Sequence, residues 1–94
     1  MSKRLTVLFQ SKDGEADAFK AAAQGGIAAV KAGDDGCEMY DLFQSVDDPN
    51  RFVLVESWAS QEALDAHGSS EAMKEMGKLG PHMDGRPTLY RYED

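Results

Sequence analysis

The segment FVLVESWASQEALDAHGSS, residues 52–70, decides the fold that we predict for the whole chain. It begins with a run rich in β-branched and aromatic residues that ends at Trp58 and is typical of a strand. Ser60 is a favourable N-cap, and a helical pattern follows it as far as Gly68, so a helix begins directly after the strand. The only tryptophan of the chain and one of its two histidines, His67, therefore lie where a strand joins a helix. A piece of core and the wall of a small-molecule pocket are both consistent with this arrangement.

Length and composition indicate one globular domain spanning 1–94. A chain of 94 residues has no room for a second hydrophobic core. Its apolar runs fall short of the ~18–20 residues that cross a membrane, and the N-terminal run turns polar at Gln10, unlike a signal peptide. Cys37 is the only cysteine and cannot form an internal disulfide, which fits a reducing compartment. We therefore expect a cytoplasmic protein.

The charge distribution argues against several classes of partner. The net charge is −7 and the ten Lys and Arg residues are scattered, whereas nucleic acid and anionic membranes require clustered basic residues. The two histidines and the cysteine lack the spacing of metal ligands. No glycine-rich loop for a phosphate or a dinucleotide occurs. We expect no nucleic acid, membrane, metal, flavin or nicotinamide to be bound.

The flanking sequence supplies three more strands and two more helices. In chain order, we predict a strand at 4–11, a helix at 15–32, strands at 37–46 and 51–58, a helix from Ser60 to Gly68, a short helix capped by Ser69 or Ser70, a loop at 80–87 and a strand at 88–94. The DDPN turn at 47–50 joins the second and third strands as a hairpin. This β-α-β-β-α-β order, with the second helix broken in two, is typical of the ferredoxin-like α+β fold, a four-stranded antiparallel sheet with helices on one face.

The first helix carries apolar residues on one face at helical spacing: Phe19, Ala23, Ile27 and Val30. Asp13 fits an N-cap and Gly33 fits a C-cap. Gly25 and Gly26 each cost the helix about 1 kcal/mol relative to alanine. We interpret this pair as a place of close packing between helix and sheet, with a functional hinge as the alternative.

Both faces of the predicted sheet carry apolar residues. In the third strand, Leu54 and Glu56 point to one face, whereas Val53 and Val55 point to the other. The first strand alternates in the same way, with Leu5, Val7 and Phe9 opposing Thr6, Leu8 and Gln10. The helices can cover only one face, and an exposed apolar face requires a partner. We therefore predict a homodimer in which a second copy covers the free sheet face.

Residues 36–67, GCEMYDLFQSVDDPNRFVLVESWASQEALDAH, resemble the antibiotic biosynthesis monooxygenase (ABM) domain family. The shared features are a Gly-Cys pair that opens the second strand, a DDP hairpin turn, an F-x-L-x-E-x-W strand, an S-x-E-A-L helix and a histidine at its end. The resemblance extends from Leu5 to Tyr92. It implies a dimeric α+β barrel, in which two ferredoxin-like sheets pack face to face, and this agrees with the two-faced strands.

The resemblance is compatible with several chemistries on one fold. Members of the family include cofactor-free oxygenases of quinols and polycyclic phenols, haem-degrading enzymes and an isomerase of a signalling sugar derivative. Haem degradation fits poorly, because Gly77 stands where the haem-degrading relatives carry a histidine. Many members also carry an S-P-H-F pattern where this chain has Ser-Glu-Ala-Met at 70–73, which disfavours any mechanism that needs two imidazoles.

Two residues of the segment are candidate catalytic residues. Trp58 is either part of the core or, as the resemblance suggests, the wall of a pocket for a flat aromatic ligand. His67 is either a favourable partner of the helix dipole or, because it shares the face of Leu64, a base or hydrogen-bond partner for a phenol. We predict that Trp58 and His67 line one cavity between the sheet and the helices.

The other candidates are substrate-binding residues. Glu56, on the same face as the tryptophan, either contributes to the site or pairs with a backbone amide or an arginine across the dimer. Tyr40 offers a hydroxyl and Phe9 an aromatic surface. Met73 and Met76 offer an adaptable apolar lining, although core packing is the ordinary role of such residues.

Three functions are consistent with these residues. The first is a cofactor-independent monooxygenase that oxidises a small aromatic phenol or quinol with molecular oxygen, in a pocket between the sheet and the helices. The second is an isomerase of a small metabolite that uses the same pocket. The third is a non-catalytic dimer that binds a small ligand.

Overall fold

A computed structural model describes residues 2–92 of the chain. From the N-terminus, its elements are β1 (Lys3–Gln10), α1 (Ala16–Gly33), β2 (Cys37–Gln44), β3 (Arg51–Trp58), α2 (Gln61–Gly68), α3 (Glu71–Met76), a 3₁₀ helix (Gly77–His82) and β4 (Thr88–Tyr92). The predicted order of strands and helices is confirmed, including the division of the second helix into α2 and α3. Within residues 2–92, every helix is too short or too polar to span a bilayer.

The four strands form one antiparallel sheet in the order β2-β3-β1-β4. This order is that of the ferredoxin-like α+β fold, which confirms the predicted fold class. The register places Tyr40 opposite Glu56, Glu56 opposite Leu5, and Leu5 opposite Arg91. Because directly opposed residues of neighbouring strands point to the same face, these four side chains form one row across the sheet.

The start and the end of α1 differ from the prediction. Glu15, not Asp13, precedes the first turn, and its side chain makes no capping hydrogen bond. Asp13 instead accepts a hydrogen bond from Asn50 Nδ2 at 3.3 Å, so the hairpin turn competes for its carboxylate. Gly33 is the last helical residue rather than the cap, and Asp34 leaves the helix in an extended conformation.

Strand β2 ends at Gln44, two residues before the predicted end. Ser45 begins the hairpin turn, because its Oγ accepts hydrogen bonds from the backbone N–H groups of Asp47 at 3.2 Å and Asp48 at 3.3 Å. Hydrogen bonds from a side chain to the backbone of its own turn compete with hydrogen bonds between strands, so the strand ends before Ser45.

The predicted loop at 80–87 is wrong in its first part, which belongs to the 3₁₀ helix Gly77–His82. Glycine and proline signals favoured a loop, but the buried side chain of Leu79 anchors this segment to the core as a short helix. At the C-terminus β4 ends at Tyr92, and the predicted strand residues 93–94 lie outside the described part of the chain.

The aromatic part of the core lies between α1 and the sheet. Phe19 stacks on Phe52 of β3 with ring centroids 4.6 Å apart, and its centroid lies 5.5 Å from that of Phe9 on β1. Ala23 and Val30 continue the buried face of α1, as the apolar spacing predicted. The helix is therefore fixed on the sheet along most of its length.

Gly26, rather than Ile27, completes the buried face of α1. A Cβ atom at Gly26 would collide with the Sδ of Met76 and lie 3.3 Å from the Cα of Met76, whereas a Cβ atom at Gly25 would meet open space. The prediction of close packing at this pair is right for Gly26, but the partner is α3 and not the sheet. Helices α1 and α3 approach each other at this point because the glycine has no side chain.

The sheet face away from the helices is partly apolar, as the alternation predicted. Val53 and Val55 lie on it, opposite Leu8 and Thr6 of β1, and all four side chains are only half-buried. Larger side chains on the same face are about half exposed: Phe43 (49%), Tyr90 (50%) and Tyr92 (49%). The chain's own helices do not cover this face.

Candidate functional site

A cavity of about 630 Å³ lies between the sheet and the helices α2 and α3. Its floor is the helix-facing side of the sheet and includes Leu5, Val7, Phe9 and Leu54. Its opposite wall includes Leu64, Met73, Met76 and Leu79. Small-molecule sites have volumes of ~300–1,000 Å³ and mostly apolar walls, so this cavity has the size and the lining of such a site.

Four of the five polar side chains that line the cavity are grouped at one end, and the fifth, Asp65, is exposed on α2. Tyr40, Glu56 and Arg91 line this end from the sheet, in the single row described above, and His67 lines it from α2. The next row across the strands is apolar, and three of its residues line the cavity: Leu54, Val7 and Leu89. The cavity therefore suits a ligand that has a polar end and an apolar body.

Helix α2 holds His67 in the wall of the cavity. Ser60 begins the helix, and its Oγ accepts a hydrogen bond from the backbone N–H of Ala63 at 3.1 Å. His67 lies in the last turn, on the same cavity wall as Leu64, and only 5% of it is exposed. The predicted orientation of His67 toward the sheet is thus the observed one.

The two ring nitrogens of His67 have different neighbours. Nδ1 lies 2.7 Å from Oδ2 of Asp34, which is a hydrogen-bonding distance. Nε2 lies 3.9 Å from Oε1 of Glu56, which is too long for a direct hydrogen bond. Nε2 therefore makes no hydrogen bond within the described part of the chain. A polar ligand atom that reaches this end of the cavity could bond to Nε2 without displacing a partner.

Glu56 is a buried carboxyl group with an identified partner. Its Oε1 accepts a hydrogen bond from the indole Nε1 of Trp58 at 2.9 Å, a partner that the sequence did not indicate. Burial raises the pKa of Glu56, whereas the hydrogen bond from Trp58 and the positive charges of His67 and Arg91 lower it. The net shift of the pKa of Glu56 is upward, because burial outweighs the hydrogen bond and the charges.

Trp58 does not line the cavity, so this part of the prediction is wrong. Its side chain is fully buried and stacks against the ring of His67, with centroids 4.5 Å apart and an interplanar angle of 28°. The indole lies behind His67, where it supports the imidazole and donates to Glu56. It contacts the site from the core side and forms no part of the cavity wall.

Tyr40 lies beside the same group of rings. Its ring meets that of His67 edge-on at 5.3 Å and that of Trp58 at 6.2 Å. Burial, followed by the negative charge of Glu56, raises the pKa of the Tyr40 hydroxyl well above its ordinary value. The hydroxyl therefore stays protonated and can donate a hydrogen bond into the cavity.

Phe9, Met73 and Met76 also line the cavity, where the prediction placed them. Phe9 lies on the floor with 8% of its surface exposed, and Met76 lies opposite with 7% exposed. Met73 is 42% exposed, so it lies at the opening of the cavity rather than in its depth. The two methionines form a flexible apolar wall.

Sequence reasoning missed Asp34 and Arg91. Asp34 lies in the sequence Gly-Asp-Asp-Gly at 33–36, a turn motif in which aspartate is common for local reasons, and nothing in that motif distinguishes Asp34 from Asp35. Arg91 could have been found, because its alternation with Leu89 on β4 already placed both on one face. Among residues 2–92, no three His, Cys, Asp or Glu side chains are grouped in a way that could hold a metal ion.

Comparisons with known proteins agree with this fold. The sequence profile of the family described as "Antibiotic biosynthesis monooxygenase" matches residues 4–79. Among curated proteins, none matches the chain at a significant level.

Several solved structures resemble the chain over nearly its whole length. A candidate antibiotic biosynthesis monooxygenase from Caulobacter crescentus CB15 has a TM-score of 0.92 and 26% identity, over 99% of this chain and 89% of that one. A conserved protein from Methanosarcina mazei Go1 has a TM-score of 0.88 and 22% identity, over 98% and 91%. A further candidate monooxygenase from Nitrosomonas europaea has a TM-score of 0.86 and 23% identity, over 98% and 97%. Since the family profile covers most of the sequence, the chain belongs to the antibiotic biosynthesis monooxygenase family.

Proposed function

We propose that the protein is a monooxygenase that oxidises a small aromatic phenol or quinol with molecular oxygen, in the cavity between the sheet and the helices. The observation that carries this proposal is the buried imidazole of His67, which lines a largely apolar cavity of about 630 Å³ together with Glu56, whose Oε1 lies 3.9 Å from Nε2. A positioned base in an apolar site suits the ionisation of a phenol. Membership of the family supports the same class of reaction.

A naphthol serves to write the reaction. His67 Nε2 takes the hydroxyl proton, and the naphtholate supplies electrons to dioxygen. One oxygen atom forms a C=O bond at the ring carbon para to the hydroxyl, and the C–H bond there breaks. The other oxygen atom leaves as water together with the two hydrogens, so a naphthol and dioxygen give a naphthoquinone and water. The substrate loses four electrons and dioxygen gains four, and no metal or organic cofactor is required as an electron source.

The cavity residues have separate roles in this proposal. Tyr40 and Glu56 orient the hydroxyl end of the substrate beside His67, since both line the polar end of the cavity. Phe9, Met73 and Met76 contact the apolar rings. Trp58 acts from behind the ring, by holding the imidazole and the carboxyl in place. Orientation and exclusion of water are the contributions that such a site makes.

Oxygen uptake with a naphthol tests this function. Wild-type protein should consume oxygen and release the quinone without added metal or flavin. His67→Ala should lower the rate by about 10²-fold, the scale expected for loss of a general base. The deficit should shrink as the pH rises past the pKa of the naphthol, because the free naphtholate no longer needs a base.

The second histidine provides a matched control. His82 pairs with Glu15 at 2.9 Å, and its side chain is absent from the cavity lining. His82→Ala should therefore leave oxygen uptake unchanged. A deficit of His67→Ala that stays constant with pH would show that His67 is not the base, and the absence of uptake with a broad panel of phenols would reject the monooxygenase.

An isomerase is the second candidate, because a carboxyl with a raised pKa lies 3.9 Å from an imidazole nitrogen. An acid and a base at that separation can take a proton from one atom of a substrate and return it to another. Turnover without consumption of oxygen would favour this function over the monooxygenase. Binding of aromatic ligands without any turnover would favour a non-catalytic role.

We also propose that the protein is a homodimer through the sheet face that the helices leave uncovered. The support is the partly exposed apolar surface of that face, which includes Phe43, Tyr90 and Tyr92. A second copy would cover this surface with an identical one. The partner is thus another molecule of the same chain, and the substrates remain a small aromatic compound and dioxygen.

A further inference from the structure

The ring of His67 separates two cavities. One is the main cavity, which Glu56 and His67 line together. The other has a volume of about 490 Å³ and lies on the far side of α2, where Asp34, Ser60 and Ser70 line it together with His67. The imidazole therefore presents one nitrogen to each side, Nε2 toward Glu56 and Nδ1 toward Asp34.

The contact with Asp34 decides which nitrogen carries the hydrogen in the neutral ring. A neutral imidazole has one N–H donor and one bare acceptor nitrogen, and an ionised carboxylate can only accept. Oδ2 of Asp34 lies 2.7 Å from Nδ1, and both side chains are more than nine-tenths buried. The favourable arrangement is thus Nδ1–H donating to Asp34, which leaves the lone pair of Nε2 directed at the main cavity.

Asp34 is itself fixed by its surroundings. Its backbone N–H donates to the carbonyl of Val30 at 2.9 Å, which ties it to the end of α1. The Oγ of Ser70 lies 3.0 Å from Oδ2 of Asp34 and 2.9 Å from the carbonyl oxygen of His67, so its single proton can serve either acceptor. The same Oγ accepts the backbone N–H of Met73 and so begins α3.

We propose that Asp34, supported by Ser70, is a positioning residue that keeps Nδ1 of His67 protonated and thereby makes Nε2 the atom that accepts the substrate's proton. The proposal deepens the proposed function and rests on it for the role of Nε2. The tautomer itself is a property of the resting protein and does not depend on any reaction. Asp34 touches no substrate in this scheme and acts only through the imidazole.

Nitrogen-15 NMR of the histidine rings tests the tautomer in the absence of substrate. The chain has two histidines, so each ring can be followed separately, and His82 is an internal reference. At a pH where the His67 ring is neutral, the wild-type spectrum should show a protonated Nδ1 and a bare Nε2. Asp34→Ala should move His67 toward the opposite tautomer and leave the signals of His82 unchanged.

Two further variants separate the carboxylate from general disturbance. Asp34→Glu restores a carboxylate and should recover the wild-type tautomer at least in part. Asp35→Ala makes the same change at the neighbouring, exposed position and should leave His67 as it is. The proposal is overturned if neutral wild-type His67 carries its proton on Nε2, or if Asp34→Ala leaves the tautomer unchanged. The wild-type measurement decides even if a variant does not fold.

Kinetics then connect the tautomer to turnover. Asp34→Ala should lower kcat for a naphthol by at least about 10-fold. The loss should not exceed that of His67→Ala, which removes the base itself and costs about 10²-fold. The Kd of a naphthol, measured under nitrogen, should stay within about 2-fold, because Asp34 does not line the main cavity. Unchanged kcat with an altered tautomer would overturn the assigned role of Nε2. A wild type that turns over no phenol would reject the function while the tautomer result still stands.

Discussion

Of the side chains around the imidazole of His67, three constrain different properties of the ring. Trp58 stacks on it and limits its tilt, and Asp34 bonds to Nδ1 and selects the tautomer. Glu56 lies near Nε2 and supplies a carboxyl group whose pKa is raised by burial. A base that is held in this way needs little reorganisation when a substrate arrives.

The raised pKa of Glu56 predicts a pH dependence of stability. A carboxyl group whose pKa is higher in the folded state holds its proton more tightly there. The contribution of this group to the free energy of unfolding is complete below the unfolded-state pKa of about 4.3. It is lost as the pH rises through the folded-state pKa. Glu56→Gln keeps an oxygen for the indole N–H and removes the titration. Urea unfolding at a series of pH values should show the wild type losing stability relative to Glu56→Gln across that window.

Trp58→Phe provides the complementary measurement. It removes the hydrogen bond that lowers the pKa of Glu56, so the loss of stability should move to higher pH. A set of parallel stability curves for the wild type and Glu56→Gln would contradict the assignment of a raised pKa to this carboxyl.

At the scale of single residues, sequence reasoning found the residues that local patterns identify. His67 follows from helical spacing and Glu56 from strand alternation, because both are properties of one element. Asp34 could not be found, since its role depends on how the turn before β2 meets the end of α2. The position of Trp58 behind the ring, rather than in the cavity wall, likewise depends on packing between elements.

At the scale of elements, the contact between α1 and α3 controls the shape of the cavity. Gly26→Ala should push the thioether of Met76 toward the cavity, because the added methyl group occupies the place of Sδ. Overpacking of this kind costs about 1–3 kcal/mol, which exceeds the gain of about 1 kcal/mol in helix propensity. We expect a lower midpoint of urea unfolding and weaker binding of a naphthol.

Gly25→Ala is the matched control for this change. It adds the same methyl group one residue earlier, where nothing lies within 4 Å. This variant should gain up to about 1 kcal/mol and bind the naphthol as the wild type does. Equal stabilities of the two variants would mean that Met76 moves away without cost.

Elements were predicted well where their signals are local. Strand β3, Arg51–Trp58, was predicted with its observed bounds, because a turn precedes it and the Ser60 cap follows it. The second half of the 3₁₀ helix Gly77–His82 was predicted to be a loop. The helix was missed because its stability comes from burial of Leu79 and not from helix propensity.

At the scale of the whole molecule, the uncovered sheet face predicts association. Sedimentation should give about twice the chain mass of 10.3 kDa, since a second copy is the proposed cover. Val55→Asp places a charge in the centre of that face and should both dissociate the dimer and lower the midpoint of unfolding. Val46→Asp is the control, because Val46 is fully exposed in the hairpin turn and should tolerate the same change. A wild type that sediments as a monomer at micromolar concentration would contradict the proposal.

The stack of Trp58 on His67 also gives the site its own optical signal. The chain has one tryptophan, so all indole emission originates at this position. A charged imidazole ring quenches an adjacent indole more strongly than a neutral ring does, and the centroids are only 4.5 Å apart. Fluorescence therefore reports the charge on His67, and the arrival of a ligand beside it, without any label.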